Sequence, residues 1–223
     1  MHELLYAAAP AAAGAWYGTR AWMARRRAPL GEMAEDFSLL GTDGRRHSLS
    51  SLEAPVVVLL FMSNRCPGVK AYDGRLRRLT ERFGSEVALV GINPIDEGHY
   101  PSESLAGMKR AVKERGLDLL YLKDRDQHVA AAFGAVCTPE VVVLDADRRL
   151  RYRGRIDDSL VERNVRKHYL VDAIAALRKG KRPRVAETVP LGCSIDAAAT
   201  NPIVQGAQGA KARPDRNPVR NPA

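Results

Sequence analysis

The chain has 223 residues, 45% of them hydrophobic, enough for one folded domain of ordinary size with tails. Its three cysteines are too few for a secreted disulfide scaffold, and an odd number leaves at least one unpaired within a monomer. The formal net charge of +9 belongs mostly to the ends: residues 1–30 carry +3, residues 180–223 carry +4 and the stretch between only +2, so no basic face for nucleic acid is indicated.

Leu4 to Gly18 is Ala-rich and apolar. It is short for a membrane span, which needs roughly 20 residues, and Pro10 and Gly14 weaken it. As a signal peptide it lacks a Lys or Arg before the apolar run; Arg20 and Arg25-Arg26-Arg27 follow it instead. Residues 1–28 are read as an extension, with the cytoplasm favoured over export or membrane anchoring. Pro29-Leu30-Gly31 opens the ordered part. Asp36 to Leu40 and Arg45 to Leu49 flank Gly41-Thr42-Asp43-Gly44, a β-hairpin pattern. Val56 to Met62 is a continuous, β-branched apolar run, the signature of a strand buried on both faces. Gly68 to Phe83 reads as a helix, with Val69, Tyr72, Leu76, Leu79 and Phe83 at spacings of three and four and Gly84 as its stop. Val87 to Ile92 is the next buried strand, broken by Asn93-Pro94. Ser102 to Arg115 is an amphipathic helix ended by Gly116. Leu119 to Leu122 is a short extended piece, and Gln127 to Phe133 a short helix. Glu140 to Leu144 and Leu150 to Arg155 form a second hairpin around Asp145-Ala146-Asp147, the basic run Arg148 to Arg155 being a solvated strand face. Tyr169 to Lys179 is the last helix. From Asp196 onward Ala, Pro, Asn and Arg without periodicity read as a disordered tail. This order gives an α/β fold with a mixed central sheet flanked by helices.

The chemistry-bearing stretch is Ser63-Asn64-Arg65-Cys66-Pro67, where the buried strand delivers a lone cysteine to the start of a helix. Helix-start N–H groups and the positive end of the helix dipole favour thiolate over thiol, and the thiolate is the nucleophile. Pro67 suits the first helical position, where no N–H is needed. Cys137-Thr138-Pro139 is the second such element, with Pro139 placed where a strand begins. No Cys or His pair has tight ligand spacing, and His47, His99, His128 and His168 are scattered, so neither a metal nor a cofactor is expected.

Asp36-Phe37-Ser38-Leu39, Asn64 to Tyr72, Ala135 to Pro139, Tyr152 to Asp158 and Gly192-Cys193-Ser194-Ile195 together resemble the peroxiredoxin-like branch of the alkyl hydroperoxide reductase/thiol-specific antioxidant family, in the thioredoxin superfamily. The resemblance covers about residues 29–195. It implies a thioredoxin-like fold in which the Thr138–Pro139 peptide is cis and its loop faces Cys66. It also implies thiol-dependent oxidoreductase activity of the peroxidase type. Ser63, three residues before the cysteine, matches the Ser or Thr of peroxiredoxins, and Arg65 would add positive charge. Val69 stands where thioredoxins carry a second cysteine, and Leu59 where peroxiredoxins carry proline. In the implied fold Cys137 is the resolving cysteine, forming a disulfide with Cys66 after attack on a peroxide or a disulfide. An external, thioredoxin-like dithiol would reset it, and homodimers are common among such folds. Cys193 is open between resolving a sulfenate, pairing with another chain and being inert. Two further readings stand beside the peroxidase: a thiol–disulfide oxidoreductase without peroxidase activity, and a non-catalytic module that binds a partner or a metal.

Overall fold

The computed structural model describes residues 28–196. Apart from Ala28 and Asp196, the expected N-terminal extension and C-terminal tail lie outside those residues. In chain order the strands are β1 (Ser38–Gly41), β2 (Arg46–Ser48), β3 (Val56–Phe61), β4 (Val87–Asn93), β5 (Leu120–Lys123), β6 (Cys137–Thr138), β7 (Glu140–Leu144), β8 (Leu150–Gly154) and β9 (Cys193–Ser194). The α-helices are α1 (Pro67–Lys70), α2 (Asp73–Phe83), α3 (Leu105–Arg115), α4 (His128–Phe133) and α5 (Tyr169–Arg178).

Seven strands form one sheet in the order β2-β1-β5-β4-β3-β7-β8, and β6 pairs with β9 separately. β3, β4 and β5 are parallel, whereas β7 runs antiparallel to β3 and β8 antiparallel to β7. The first hairpin takes the edge beyond β5, with β1 antiparallel to β5. Its turn uses Gly44 at φ +81°, a backbone conformation that a glycine adopts without steric cost.

β3 is central, and its sequence explains why. Every residue from Val56 to Phe61 is buried. Alternate side chains enter opposite layers, as the period of two in a strand requires. Val58, Leu60 and Met62 join Leu76, Leu79 and Phe83 of α2 and Leu170 and Ile174 of α5. Val57, Leu59 and Phe61 join Phe37, Ile92, Phe133 of α4 and Val142. Leu60 has no exposed surface. Leu60→Ala is therefore expected to destabilise the fold by about 2–5 kcal/mol, through lost transfer energy plus a residual cavity; chemical denaturation measures it.

The single helix expected over Gly68–Phe83 is two. Tyr72 N–H bonds the Val69 carbonyl three residues back, a tighter turn than the α-helical repeat, and regular helix restarts at Asp73. The tightened turn accompanies a buried Tyr72 whose hydroxyl donates to the buried Asp157 carboxylate at 2.9 Å. The helix expected from Ser102 begins at Leu105, capped by the Ser104 hydroxyl, which accepts the Gly107 N–H at 3.3 Å. No helix among the described residues is long and apolar enough to cross a membrane.

Candidate functional site

β3 runs into a short turn, and Cys66 then forms the N-cap of α1 with Pro67 following it. The apolar strand anchors this end, and proline's fixed φ pre-sets the helix start. Cys66 is 2% exposed. Its Sγ lies 3.1 Å from the Thr138 carbonyl oxygen, to which the thiol form donates. The same sulfur lies 2.7 Å from Cys193 Sγ. The Thr138–Pro139 peptide is cis.

Two short strands bring these groups together. β6 and β9 pair antiparallel, with Thr138 opposite Cys193 and Cys137 opposite Ser194. Ile195 anchors β9 by burying its side chain in the lower core layer and donating its N–H to the Val136 carbonyl. Gln127 Nε2 holds the Asp196 carbonyl at 2.6 Å. Gly192 permits the close approach. A Cβ there would lie 2.1 Å from the Thr138 carbonyl oxygen and 3.0 Å from Pro139 N.

The electrostatics separate the three thiols. Burial pushes Cys66 up, but hydrogen bonds from Cys193 and the Val69 N–H outweigh it and hold the thiol below its ordinary value. The Thr138 hydroxyl is buried and has no hydrogen-bond partner among the described residues. Cys193 moves the other way, to about 11, first through burial and then through its hydrogen bond to Cys66. Of the two contacting thiols, Cys66 is therefore the one that ionises first. Cys137 is pushed up to about 12, by burial and then by the Glu140 carboxylate. It is the least ionised of the three.

Several residues singled out in the sequence are placed differently from expectation. Cys193, not Cys137, is the sulfur in contact with Cys66, because the β6–β9 register sets Thr138 opposite Cys193. Ser63 does not face the thiolate. Its Oγ–H donates to Glu103 at 2.8 Å and its oxygen accepts the Arg65 N–H at 3.2 Å. The Arg65 guanidinium sits 3.9 Å over the Tyr100 ring in a cation–π contact. Thr138 and Pro139 lie beside Cys66, the Thr138 carbonyl at 3.1 Å from its sulfur and the Thr138–Pro139 peptide cis.

Beside the sulfur pair lies a cavity of about 310 Å³ lined by Tyr72, Pro139, Ile156, Leu160, Val161 and Leu191. Leu160, Val161 and Leu191 are partly exposed, giving the cavity an apolar lip. Gly68 separates Cys66 from Pro139. A Cβ at this position would be 3.4 Å from each. The wall is braced by Asp157, which accepts Arg75 Nη1 at 2.5 Å as well as the Tyr72 hydroxyl. Among the described residues one group of side chains has metal-ligand character within mutual reach: Asp124, Asp126 and His128. Both Asp124 oxygens accept N–H groups at the start of α4, from Val129 at 3.3 Å and Ala130 at 2.8 Å, which accounts for this group as a helix cap.

Glu103, Asn93, Tyr121 and Lys123, all buried around the turn before Cys66, carry no signal in the sequence. Gly192-Cys193-Ser194-Ile195 did carry one, as part of the family resemblance, but not its pairing.

Residues 30–153 match the model of the AhpC/TSA family. The fold is thioredoxin-like. A hypothetical protein from Sinorhizobium meliloti is 35% identical, with a TM-score of 0.71 over 77% of this chain and 96% of that one. An uncharacterized conserved protein from Geobacillus kaustophilus is 34% identical, with a TM-score of 0.70 over 75% of this chain and 92% of that one. The peroxidoxin BcpB from Mycobacterium tuberculosis shares the fold at 24% identity and a TM-score of 0.54, over 69% of this chain and 98% of that one. The search of curated proteins finds no match.

Proposed function

The chain belongs to the AhpC/TSA family, and on that premise we propose that it is a thiol-dependent oxidoreductase cycling between a Cys66/Cys193 dithiol and a Cys66–Cys193 disulfide. The observation that carries this reading is the 2.7 Å separation of the two sulfurs. Closing it to a bonded length of about 2.05 Å takes a shift of well under 1 Å. Cys66 is the nucleophile because its environment favours the thiolate, and Cys193 is the resolving thiol because it is in contact.

With a disulfide substrate, Cys66 Sγ attacks one sulfur, the substrate S–S bond breaks, and the other sulfur leaves with the electron pair. Cys193 Sγ, deprotonated as the reaction proceeds, then attacks Cys66 Sγ. The mixed disulfide breaks, the second substrate thiolate departs, and the Cys66–Cys193 disulfide remains. An external dithiol of thioredoxin type then reduces the Cys66–Cys193 disulfide by two successive exchanges, leaving as its own disulfide and restoring both thiols. The apolar lip at Leu160, Val161 and Leu191 suits a protein or peptide thiol better than a small hydrophilic oxidant.

Peroxide is the second reading, supported by family membership. Here Cys66 would become a sulfenic acid as the O–O bond breaks, and attack by Cys193 would expel water. Ser63, which the family resemblance assigns to this chemistry, gives its O–H hydrogen bond to Glu103 instead. We therefore assign disulfide exchange, and Cys137 has no step in it.

The test treats the reduced full-length protein with one equivalent of a disulfide oxidant, and separately of hydrogen peroxide. Free thiols are alkylated, and the digest is mapped by mass spectrometry. A Cys66–Cys193 peptide is expected within seconds with the disulfide and more slowly with peroxide. A Cys66–Cys137 peptide would return resolution to Cys137, and an unmodified Cys66 with both oxidants would leave the non-catalytic binding module. Faster reaction with peroxide than with the disulfide would select the peroxidase. Because Cys66 ionises below an ordinary thiol, its alkylation rate should rise with pH and level off before that of Cys137 or Cys193 begins to climb.

A further inference from the structure

Glu103 is a carboxylate with no exposed surface, placed at the end of the loop that follows β4. Burying a carboxylate costs several kcal/mol unless hydrogen bonds replace the lost water. Here they do. Oε1 accepts Ser63 Oγ–H at 2.8 Å and Arg65 N–H at 3.0 Å. Oε2 accepts Asn64 N–H at 3.0 Å and Asn93 Nδ2 at 2.8 Å. Three of the four donors belong to residues 63–65, the turn that leads directly into Cys66.

The surrounding bonds make the turn rigid from the other sides. Asn64 Nδ2 donates to the Ser102 carbonyl at 2.8 Å, and Tyr121 Oη donates to Asn64 Oδ1 at 3.1 Å. The Glu103 carbonyl accepts Lys123 Nζ at 3.1 Å. Without the carboxylate, the Asn64 N–H and the Ser63 hydroxyl would be left buried and unpaired, and the Arg65 N–H would keep only Ser63 Oγ at 3.2 Å. The turn would then reopen to find other acceptors.

We infer that Glu103 is a positioning residue for Cys66, whose carboxylate clamps Ser63–Arg65 so that the sulfur is held at the start of α1 against Thr138 and Cys193. The inference rests on the reading of Cys66 as the nucleophile. The residue type matters. A carboxylate is acceptor-only and offers two oxygens to four converging donors. A glutamine has one oxygen, and in either orientation its NH₂ would face two of those donors. The groups that bear on Cys66 are the Cys193 and Cys137 thiols. Those that face Glu103 are Lys123 and Tyr121 of β5. Glu103→Gln removes a negative charge that Lys123 and Tyr121 feel; loss of that charge alone would favour the thiolate and lower the Cys66 midpoint, so a raised midpoint reports the turn.

The experiment measures the pH dependence of Cys66 alkylation by peptide mapping in the full chain, with the unfolding midpoint recorded alongside. In Glu103→Gln the midpoint of the alkylation profile should rise by about one pH unit, a roughly tenfold slower reaction below it. Ser63→Ala keeps both backbone N–H groups on the carboxylate and should leave the midpoint where it is. A Glu103→Gln protein that is less stable but keeps the wild-type midpoint would overturn the inference, since the carboxylate would then only support the fold. Should that variant fail to fold, Glu103→Asp serves instead, withdrawing the carboxylate by one methylene: a raised midpoint supports the clamp and an unchanged one refutes it. A wild-type Cys66 that does not react with alkylating agent or oxidant would refute the proposed function itself, which keeps the two failures apart.

Discussion

Cys193→Ser should stop the catalytic cycle after its first half. Cys66 would still attack a substrate disulfide, but the mixed disulfide would have no partner sulfur at 2.7 Å to release it. Replacing an oriented intramolecular attack by one from solution is expected to lower multiple turnover by roughly a hundredfold or more. The covalent Cys66–substrate adduct should accumulate and be visible by intact-mass spectrometry. A second effect comes from the hydrogen bond between the two sulfurs. The Cys193 thiol heads the groups that hold the Cys66 thiolate, after burial has worked against it. A serine hydroxyl on a shorter bond reaches less far, so the pH profile of Cys66 alkylation should move upward. Cys137→Ser is the control and should turn over normally, because Cys137 is the most strongly protonated thiol and does not touch Cys66 among the described contacts. Unchanged turnover in Cys193→Ser with loss in Cys137→Ser would reverse the assignment.

The contrast between these cysteines shows where sequence reasoning reaches. The central sheet was legible because β3 and β4 are short, continuous apolar runs bounded by breakers, and such runs have one stable place in an α/β protein, the doubly covered middle. The proposed nucleophile was legible for the same local reason: strand, Cys66 and Pro67 are adjacent in sequence, so the helix-start environment follows from neighbours alone. The sulfur that contacts it was not. Cys193 lies 127 residues away, and its placement is decided by a two-residue strand, a buried Ile195 and the absence of a side chain at Gly192. None of these has a periodicity to detect. Ser63 illustrates a different limit. Its spacing from Cys66 fits a peroxide-binding role, yet a carboxylate 40 residues on in the chain accepts its hydroxyl hydrogen bond instead. Local motif and remote acceptor cannot be weighed against each other until the loop carrying Glu103 is folded over the turn.

Gly192→Ala offers the most direct view of β9 as both resolving arm and cover. The added methyl carbon would sit 2.1 Å from the Thr138 oxygen, 2.6 Å from its carbon and 3.0 Å from Pro139 N. All three are backbone atoms beside the sulfur pair, so no rotamer change relieves the contact. Either the Thr138–Pro139 loop moves, against the β7 strand that follows it in the central sheet, or β9 lifts away. β9 is the weaker element, being two exposed residues at the edge of a two-stranded pair. Its departure would separate Cys193 from Cys66 and open the 2%-exposed sulfur to solvent. The effective concentration of Cys193 at Cys66, read from the equilibrium of the Cys66–Cys193 disulfide with a glutathione buffer, should fall by roughly tenfold or more. Alkylation of Cys66 by a bulky reagent at pH above its midpoint should become faster, because access then limits the rate rather than ionisation. The unfolding midpoint should change little, since neither core layer loses a contact apart from Ile195. An unchanged glutathione equilibrium would mean that the loop, not β9, yields to the methyl group, and that the approach of Gly192 to Thr138 is not what sets the distance between the two sulfurs.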